Sequence, residues 1–203
     1  ILLPRMERYH KISDQIHEVL HRFSPYLEPI SMDEAFLDIS GLGKLYESPM
    51  AVGRAVKEQI KDLTGLVASV GIGPNKFLAK LASDLKKPDG LYIIPHGQES
   101  AHIKHLPVRR LWGVGAHMEQ ALQRGGFYRI QDIAQLDSYH ELEPYCGHQS
   151  ERVYLLSKGI DDRPIEWKRE LQSVGNELTY ERDLMDPEEI DNEWRYFAHH
   201  VAK

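Results

Sequence analysis

The sequence contains a single cysteine, Cys146, and no apolar run that approaches the length of a membrane-spanning helix. One thiol cannot form an internal disulfide, and such scarcity is typical of proteins in a reducing compartment. A helix needs about 20 consecutive apolar residues to cross a bilayer. These absences exclude a disulfide framework and argue against a membrane partner, and we expect a cytoplasmic protein.

An excess of positive charge, which is common in nucleic-acid-binding proteins, is also missing, since the formal net charge is −6. The negative charge is concentrated at one end, where residues 171–203 contain eight acidic and three basic side chains. Residues 1–170 are therefore close to neutral, and a local basic surface on them stays compatible with the composition.

The chain is organised around two adjacent acids, Asp33 and Glu34, in the otherwise mostly apolar sequence SMDEAFLD at residues 31–38. Neighbouring residues of a regular strand point to opposite faces, so two such acids converge only where the alternation breaks. Residues 29–32 and 36–39 are typical of the two arms of a hairpin. We expect the acids at its tip, where they could hold a hard cation such as Mg²⁺.

The first half of the chain alternates between helical and strand patterns, in the order helix, strand, strand, helix, strand, helix, strand. Ser48-Pro49 predicts the start of one helix and Gly65 its end. Residues 67–73 and 91–94 are predicted as strands, and a helix from Asn75 separates them. We expect an α+β domain, with helices on one face of a mostly antiparallel sheet.

The pattern changes near residue 97, after which glycine-punctuated helical segments predict a small all-helical domain. A third piece begins near Leu171. Residues 173–180 are typical of a strand, and Asp186-Pro187 is typical of a helix start. The apolar stripe of that last helix has no partner in the chain, and we expect a piece truncated at both ends.

Lys76, Lys80 and Lys87 fall within about 40° of each other on a helical projection. The simple interpretation is an amphipathic helix with a solvated basic face. The functional interpretation is a row of lysines directed at phosphates, for which Lys87 is best placed, beside the turn-forming sequence Pro88-Asp89-Gly90.

Gly113 and Gly115 form a glycine-apolar-glycine turn before a helical pattern. Such a turn frees backbone N–H groups at a helix start, where a phosphate is favoured. This is the layout of a helix-hairpin-helix, which grips a nucleic-acid backbone without reading bases. A plain tight turn between two helices is the alternative, although four surrounding arginines favour the phosphate.

The histidine pairs His17/His21 and His102/His105 are each one helical turn apart and could chelate a metal, although neither has an obvious third ligand. Cys146 lacks the matching His and Asp arrangement of a nucleophile.

Two long motifs carry a resemblance to a known family. SMDEAFLD at residues 31–38 resembles the second catalytic motif of the Y-family translesion DNA polymerases, and VGIGPNKFLAKLASDLKKPDG at residues 70–90 resembles their palm helix. The DNA polymerase IV (DinB) class is the most similar. The resemblance implies a partial palm at residues 1–96, a thumb with a helix-hairpin-helix at 97–168, and the start of an α+β little finger at 169–203.

The resemblance also implies roles for individual residues. Asp33 and Glu34 would be catalytic metal ligands in a two-metal nucleotidyl transfer that uses two Mg²⁺ ions. Lys87 would contact the triphosphate of the dNTP, and Ser31 would support the acidic turn. Gly113 and Gly115 would hold the backbone of primer-template DNA through their N–H groups.

Parts of the family pattern have no match in this sequence, namely the first metal-binding aspartate, the fingers, most of the little finger and any motif for a sliding clamp. From this we expect the 203 residues alone to be inactive. A non-catalytic DNA-binding scaffold of the same fold is the alternative function, although it has no need for two costly acids. A nucleotidyl cyclase acting on free nucleotides is a third reading, which the helical domain disfavours.

Overall fold

A computed structural model describes residues 4–168 and 173–202 of the chain. The chain divides into two compact units, Ile1–Trp167 and Lys168–Lys203. The first unit carries four strands and eight α-helices among its described residues, and the second carries one helix.

The first part of unit 1 alternates helices and short strands, as the sequence predicted. Its elements are α1 (Met6–Phe23), β1 (Leu27–Pro29), β2 (Ala35–Leu37), α2 (Pro49–Thr64), β3 (Val70–Ile72), α3 (Lys76–Leu85) and β4 (Leu91–Ile93), with a 3₁₀ turn at Ser40–Lys44.

The helix boundaries follow from local capping. The hydroxyl of Ser48 accepts a hydrogen bond from the Ala51 N–H at 3.2 Å at the start of α2, and Gly65 ends the helix with a φ of 72°. The side chain of Asn75 accepts from the Leu78 N–H at 3.0 Å and opens α3. These predicted boundaries are confirmed.

The described strands form two separate pairs, and only one is antiparallel. β1 and β2 make the predicted hairpin, in which Glu28 lies opposite Phe36, although both strands begin earlier than the predicted arms at 29–32 and 36–39. β3 and β4 run parallel, with Gly71 opposite Tyr92. The expectation of a mostly antiparallel sheet is therefore wrong for the second pair. Parallel strands need a crossover connection, and α3 supplies it.

A close approach of backbones sets the position of α3. A Cβ atom on Gly71 of β3 would lie 2.1 Å from the Ala79 carbonyl oxygen and 2.1 Å from the Ser83 nitrogen, both in α3. The helix can therefore lie directly on β3 only because residue 71 has no side chain. This packing fixes where the α3 side chains stand relative to the hairpin.

The second part of unit 1 is helical in the range that the structure describes. Its elements are α4 (Glu99–Ile103), α5 (Ala116–Arg124), α6 (Ile130–Ala134), α7 (Glu143–Cys146) and α8 (Ser150–Ser157), with 3₁₀ turns at Val108–Arg110, Tyr139–Leu142 and Gly147–Gln149.

Two buried apolar clusters hold unit 1 together. The smaller one joins α1 to α2 through Val19, Phe23, Val52 and Val56. The larger one includes Phe77 and Leu78 of α3 together with buried residues from every helix between residues 99 and 157. The packing is thus continuous across position 96/97, where the sequence pattern changes.

Unit 2 contains α9 (Pro187–Val201), which begins as predicted at Asp186, whose side chain accepts from the Glu188 N–H at 3.0 Å. The predicted strand at 173–180 is wrong, since these residues have no strand pairing within the described chain. A strand needs a neighbouring strand for its backbone hydrogen bonds, which an alternating pattern alone does not supply. Trp194 on the apolar stripe is 70% exposed.

Across both described ranges, no helix combines the length and the apolar character that crossing a membrane requires.

Candidate nucleotide and metal site

The two predicted acids lie at the tip of the β1–β2 hairpin. The N–H groups of Ile30 and Ser31 donate to the carbonyl oxygen of Glu34 at 2.8 and 3.2 Å, which closes the turn. Asp33 lies in this turn, and Glu34 directly precedes β2. The regular alternation ends here, so the two carboxylates are no longer held on opposite faces.

Ser31 supports the turn through its hydroxyl group. The Ser31 Oγ donates to Oδ1 of Asp33 at 2.7 Å and accepts from the Asp33 N–H at 3.4 Å. This hydrogen bond orients the exposed Asp33 carboxylate, and the role of Ser31 in a catalytic site stays a prediction.

Glu34 faces α3, where Lys80 pairs with it. The Nζ atom of Lys80 lies 2.7 Å from Oε1 and 2.6 Å from Oε2 of Glu34. The Glu34 side chain is 40% exposed and that of Lys80 is 29% exposed. Both oxygens of this carboxylate therefore already have a cationic partner.

The three lysines do not form a solvated row, which corrects the simple interpretation of this helix. The ammonium of Lys76 is buried and lies 2.9 Å from Oε2 of Glu28 in β1. Lys87 lies beyond the end of α3, where its Nζ is 2.6 Å from Oδ1 of Asp84. Lys76 and Lys80 are paired because α3 packs against acid-bearing segments that a helical projection leaves out, whereas the partner of Lys87 lies in α3 itself.

Lys87 lies within electrostatic range of the acidic hairpin. The hydrogen bond to Asp84 raises the pKa of Lys87, partial burial opposes this, and the charges of Asp84, Glu34 and Asp33 raise it further. Lys87 keeps a half-exposed side chain. It is therefore a stable cation close to two carboxylates, in a position that a phosphate group could approach.

One open cleft of approximately 1240 Å³ brings these groups together. Its lining includes Asp33, Glu34, Lys80 and Lys87. The structure thus gathers on one surface the acids and the lysine that the sequence singled out separately.

The predicted glycine turn lies next to this cleft. The Val114 N–H donates to the Leu111 carbonyl at 3.0 Å, and Gly113 has a φ of +98°, which suits glycine at this position of the turn. Gly115 is the N-cap of α5. Within the part of the chain that the structure describes, the N–H groups of Gly113 and Gly115 donate no hydrogen bond, so they are available to an anion.

Trp112 connects the glycine turn to the hairpin. Its ring centroid lies 5.8 Å from that of Phe36 in β2, and the guanidinium of Arg163 lies 4.3 Å from the Trp112 ring. A cation at this distance is attracted to the aromatic face. The acidic hairpin and the glycine turn are therefore in contact through their side chains.

A polar network along the cleft was not predicted from the sequence, and its members Lys76, Asp161 and Arg163 line the cleft. Asp161 accepts from the Phe77 N–H at 3.0 Å at the start of α3 and from two nitrogens of Arg163, each at 2.7 Å. Glu28 accepts from Lys76 and from the Glu166 N–H at 2.8 Å. A signal was present at Glu28, an acid at a strand position that faces the core.

Asp33 and Glu34 fit a hard cation in part. Carboxylate oxygens are the ligands that Mg²⁺ prefers, but both Glu34 oxygens are engaged by Lys80.

No group of three or more His, Cys, Asp or Glu that could hold a metal occurs within residues 4–168 or 173–202. The histidine pairs therefore gain no third such ligand there, and the His102 ring hydrogen-bonds the Tyr92 hydroxyl at 2.9 Å.

Cys146 is buried, and this burial raises its pKa to about 11. A thiol in that environment stays protonated at neutral pH and is a poor nucleophile.

Known proteins resemble this chain in fold and in sequence. Residues 1–84 match the model of the impB/mucB/samB family. The chain resembles the crystal structure of DinB from Sulfolobus solfataricus with a TM-score of 0.74 and 27% identity, over 81% of this chain and 49% of that one. A DinB family error-prone DNA polymerase from the same organism gives a TM-score of 0.76 at 25% identity, over 100% and 61%.

Residues 1–84 are therefore similar to the impB/mucB/samB family, and the whole chain is similar in sequence to DNA polymerase IV. It is 36% identical to DNA polymerase IV of Desulfatibacillum aliphaticivorans over 204 residues, which cover 100% of this chain and 51% of that protein. DNA polymerase IV of Alkalilimnicola ehrlichii is 40% identical over 201 residues, covering 99% and 56%. The chain spans about half the length of these curated relatives.

Proposed function

We propose that this chain is the part of a DNA-directed DNA polymerase of the translesion type that carries two of its catalytic acids. The observation that carries the proposal is the acidic hairpin, which holds Glu34 against α3 and places Asp33 and Glu34 in one cleft with Lys87. The names of the relatives support the same reaction class, the addition of dNTPs to a primer.

Asp33 and Glu34 would hold divalent metal, with two Mg²⁺ ions in the complete site. Bound there, the metal would supply electrostatic stabilisation of charge that develops on the transferred phosphate. Ser31 would keep the Asp33 carboxylate oriented through its 2.7 Å hydrogen bond. Lys80 would hold Glu34 in place until the carboxylate takes another partner.

The remaining contacts would serve the substrates. Lys87 would bind the triphosphate of the dNTP, because it is a half-exposed cation beside the acids. Gly113 and Gly115 would bind the backbone of primer-template DNA through N–H groups that are not used in the described fold. Residues 1–96, 97–168 and 169–203 would form the partial palm, the helix-hairpin-helix thumb and the start of the little finger.

The test is primer extension by a chimera in which these 203 residues replace the aligned segment of the Alkalilimnicola ehrlichii polymerase. We expect Mg²⁺-dependent extension, and a loss of about 10³-fold or more in the Asp33→Asn variant. Asp62→Asn, on the exposed side of α2, is the matched control and should keep full activity.

Two results would contradict the proposal. An unchanged rate in Asp33→Asn would remove this residue from the mechanism. A chimera that binds primer-template DNA but never extends it would favour the non-catalytic scaffold. We further propose that the 203 residues alone do not extend a primer, because two carboxylates leave the proposed metal site incomplete, and extension by the isolated chain would disprove this.

A further inference from the structure

Lys57 lies on α2, outside the acidic hairpin, and among the described residues its side chain bonds to the segments that directly precede β3 and β4. Its Nζ atom lies 2.6 Å from the Ala68 carbonyl oxygen, 2.7 Å from that of Asp89 and 3.2 Å from that of Gly90. It also lies 2.5 Å from Oδ1 of Asp89. An ammonium has three N–H donors, so these acceptors use all of them.

The segment that Lys57 holds is the turn at residues 87–90. Asp89 has a φ of 53° in this turn, and such a conformation persists in a residue other than glycine only where the surroundings hold it. A Cβ on Gly90 would lie 2.2 Å from the Lys86 carbonyl oxygen, so the turn is also tightly folded on itself.

The turn is fixed from two sides. On the side of β3, the Gly90 N–H donates to the Ser69 hydroxyl at 3.2 Å, and the Gly90 carbonyl accepts from the Val70 N–H at 2.9 Å. On the side of α2, Lys57 is the residue that bonds to the turn, and its side chain is only 17% exposed. A mostly covered cation that bonds two carbonyl oxygens and one carboxylate of the turn is costly to displace, so it restricts the turn.

Lys87 is the first residue of this turn, and its ammonium lines the same cleft as Asp33 and Glu34. We propose that Lys57 is a positioning residue that fixes the 87–90 turn and thereby sets where the Lys87 ammonium stands relative to the acidic hairpin. The inference rests on the proposed role of Lys87 as the triphosphate contact. Lys57 itself touches none of the proposed site residues.

The experiment follows Lys87 directly, using the 203-residue chain with isotope-labelled lysine. The NMR signal of the Lys87 ammonium reports its surroundings, and calorimetry measures the affinity for inorganic pyrophosphate. In Lys57→Met we expect the Lys87 signal to move towards that of a free lysine and pyrophosphate binding to weaken about tenfold. Arg54→Met is the matched control, because Arg54 is exposed on the same helix and its side chain makes no hydrogen bond in the described residues.

The Lys87→Met variant separates the two proposals. If it binds pyrophosphate as well as the unmodified chain, the role of Lys87 fails, while a displaced Lys87 signal in Lys57→Met still supports the positioning role. An unchanged Lys87 signal in folded Lys57→Met overturns the inference. The inference is also overturned if Lys57→Met binds pyrophosphate with unchanged affinity while Lys87→Met binds it more weakly. If circular dichroism shows that Lys57→Met is unfolded, Lys57→Gln, which keeps an amide donor, is judged by the same criteria.

Discussion

Lysines Lys76, Lys80 and Lys87 become progressively more accessible along the direction of α3. Their side chains are 7%, 29% and 52% exposed, and each has a carboxylate partner. A buried pair is costly to separate, whereas an exposed pair is worth little and exchanges partners readily. The innermost lysine is therefore structural, and the outermost is best able to exchange its carboxylate for a substrate oxygen.

Lys80 competes with any cation for the Glu34 carboxylate. We predict that Lys80→Met strengthens Mn²⁺ binding about fivefold, equivalent to about 1 kcal/mol, because it removes both a competing partner and a nearby positive charge. Titration calorimetry with Mn²⁺ measures the change. Lys86→Met is the control, since Lys86 directly follows α3 and contacts the Tyr92 ring instead of an acid. Weaker Mn²⁺ binding in Lys80→Met would show that Lys80 helps to assemble the site.

The sequence identified the acidic pair but not the partners of the lysines. Asp33 and Glu34 could be found because two adjacent acids interrupt a mostly apolar sequence, although the structure leaves Asp33 exposed and Glu34 40% exposed, so the expected cost of burying charge is not what distinguishes them. The pair between Glu28 and Lys76 joins residues far apart in the sequence. Its existence depends on how α3 crosses β1, which is a property of tertiary packing.

Among the elements, α3 depends most closely on a single residue of its neighbour. The backbone of β3 at Gly71 touches the backbone of α3, and no space is left there for a Cβ atom. We predict that Gly71→Ala lowers the free energy of unfolding by about 2–3 kcal/mol, because the new methyl group must push the helix away from β3. Urea unfolding followed by circular dichroism measures the loss.

Gly41→Ala is the control for this substitution, since a Cβ at residue 41 would have no atom within 4 Å. Its unfolding free energy should stay within about 0.5 kcal/mol of the unmodified chain. A similar small effect in Gly71→Ala would mean that α3 can shift without cost, and the packing argument for the lysine positions would fall.

Sequence signals predicted an element well where its hydrogen-bond partner lies only a few residues away in the chain. The caps at Ser48 and Asn75 lie within a few residues of the groups they satisfy, so the starts of α2 and α3 could be read from the sequence. Strand direction was misread, although the order β3, α3, β4 carried the signal, because a helix between two neighbouring strands supplies the crossover that parallel pairing needs. The strand predicted at 173–180 failed for a different reason, since a strand needs a pairing partner and none is present in the described residues.

At the scale of the whole first unit, a polar junction ties the segment after α8 to the start of α3. Asn75 donates to the Gly159 carbonyl at 2.8 Å, and Asp161 accepts from the Phe77 N–H. Burial would raise the pKa of Asp161, but the hydrogen bond and charge of Arg163 and the backbone donors outweigh it, so the pKa is lowered.

A lowered pKa makes the junction sensitive to acid. A carboxylate with a folded-state pKa below its unfolded value of about 3.9 adds stability above that pH and loses it as the pH falls through the folded-state value. We predict that Asp161→Asn costs about 1–3 kcal/mol at pH 7, and that the difference from the unmodified chain shrinks below about pH 4. Urea unfolding between pH 2.5 and 7 measures both.

The neighbouring Asp162→Asn is the control, because Asp162 is exposed. It should change neither the stability at pH 7 nor its dependence on acid. A difference for Asp161→Asn that stayed constant down to the lowest pH would show that the carboxylate charge is not what holds the junction.

The contact of Trp112 with Phe36 bears on how far apart two contacts to a bound nucleic acid would lie on this surface. The acids lie at the tip of one hairpin and the unused amides at the neighbouring turn, and the two segments are linked by the tilted ring contact between Phe36 and Trp112. This contact holds the two segments next to each other. If Gly113 and Gly115 bind the primer backbone while Asp33 acts at the growing end of the primer, the fold sets the number of nucleotides between these two contacts.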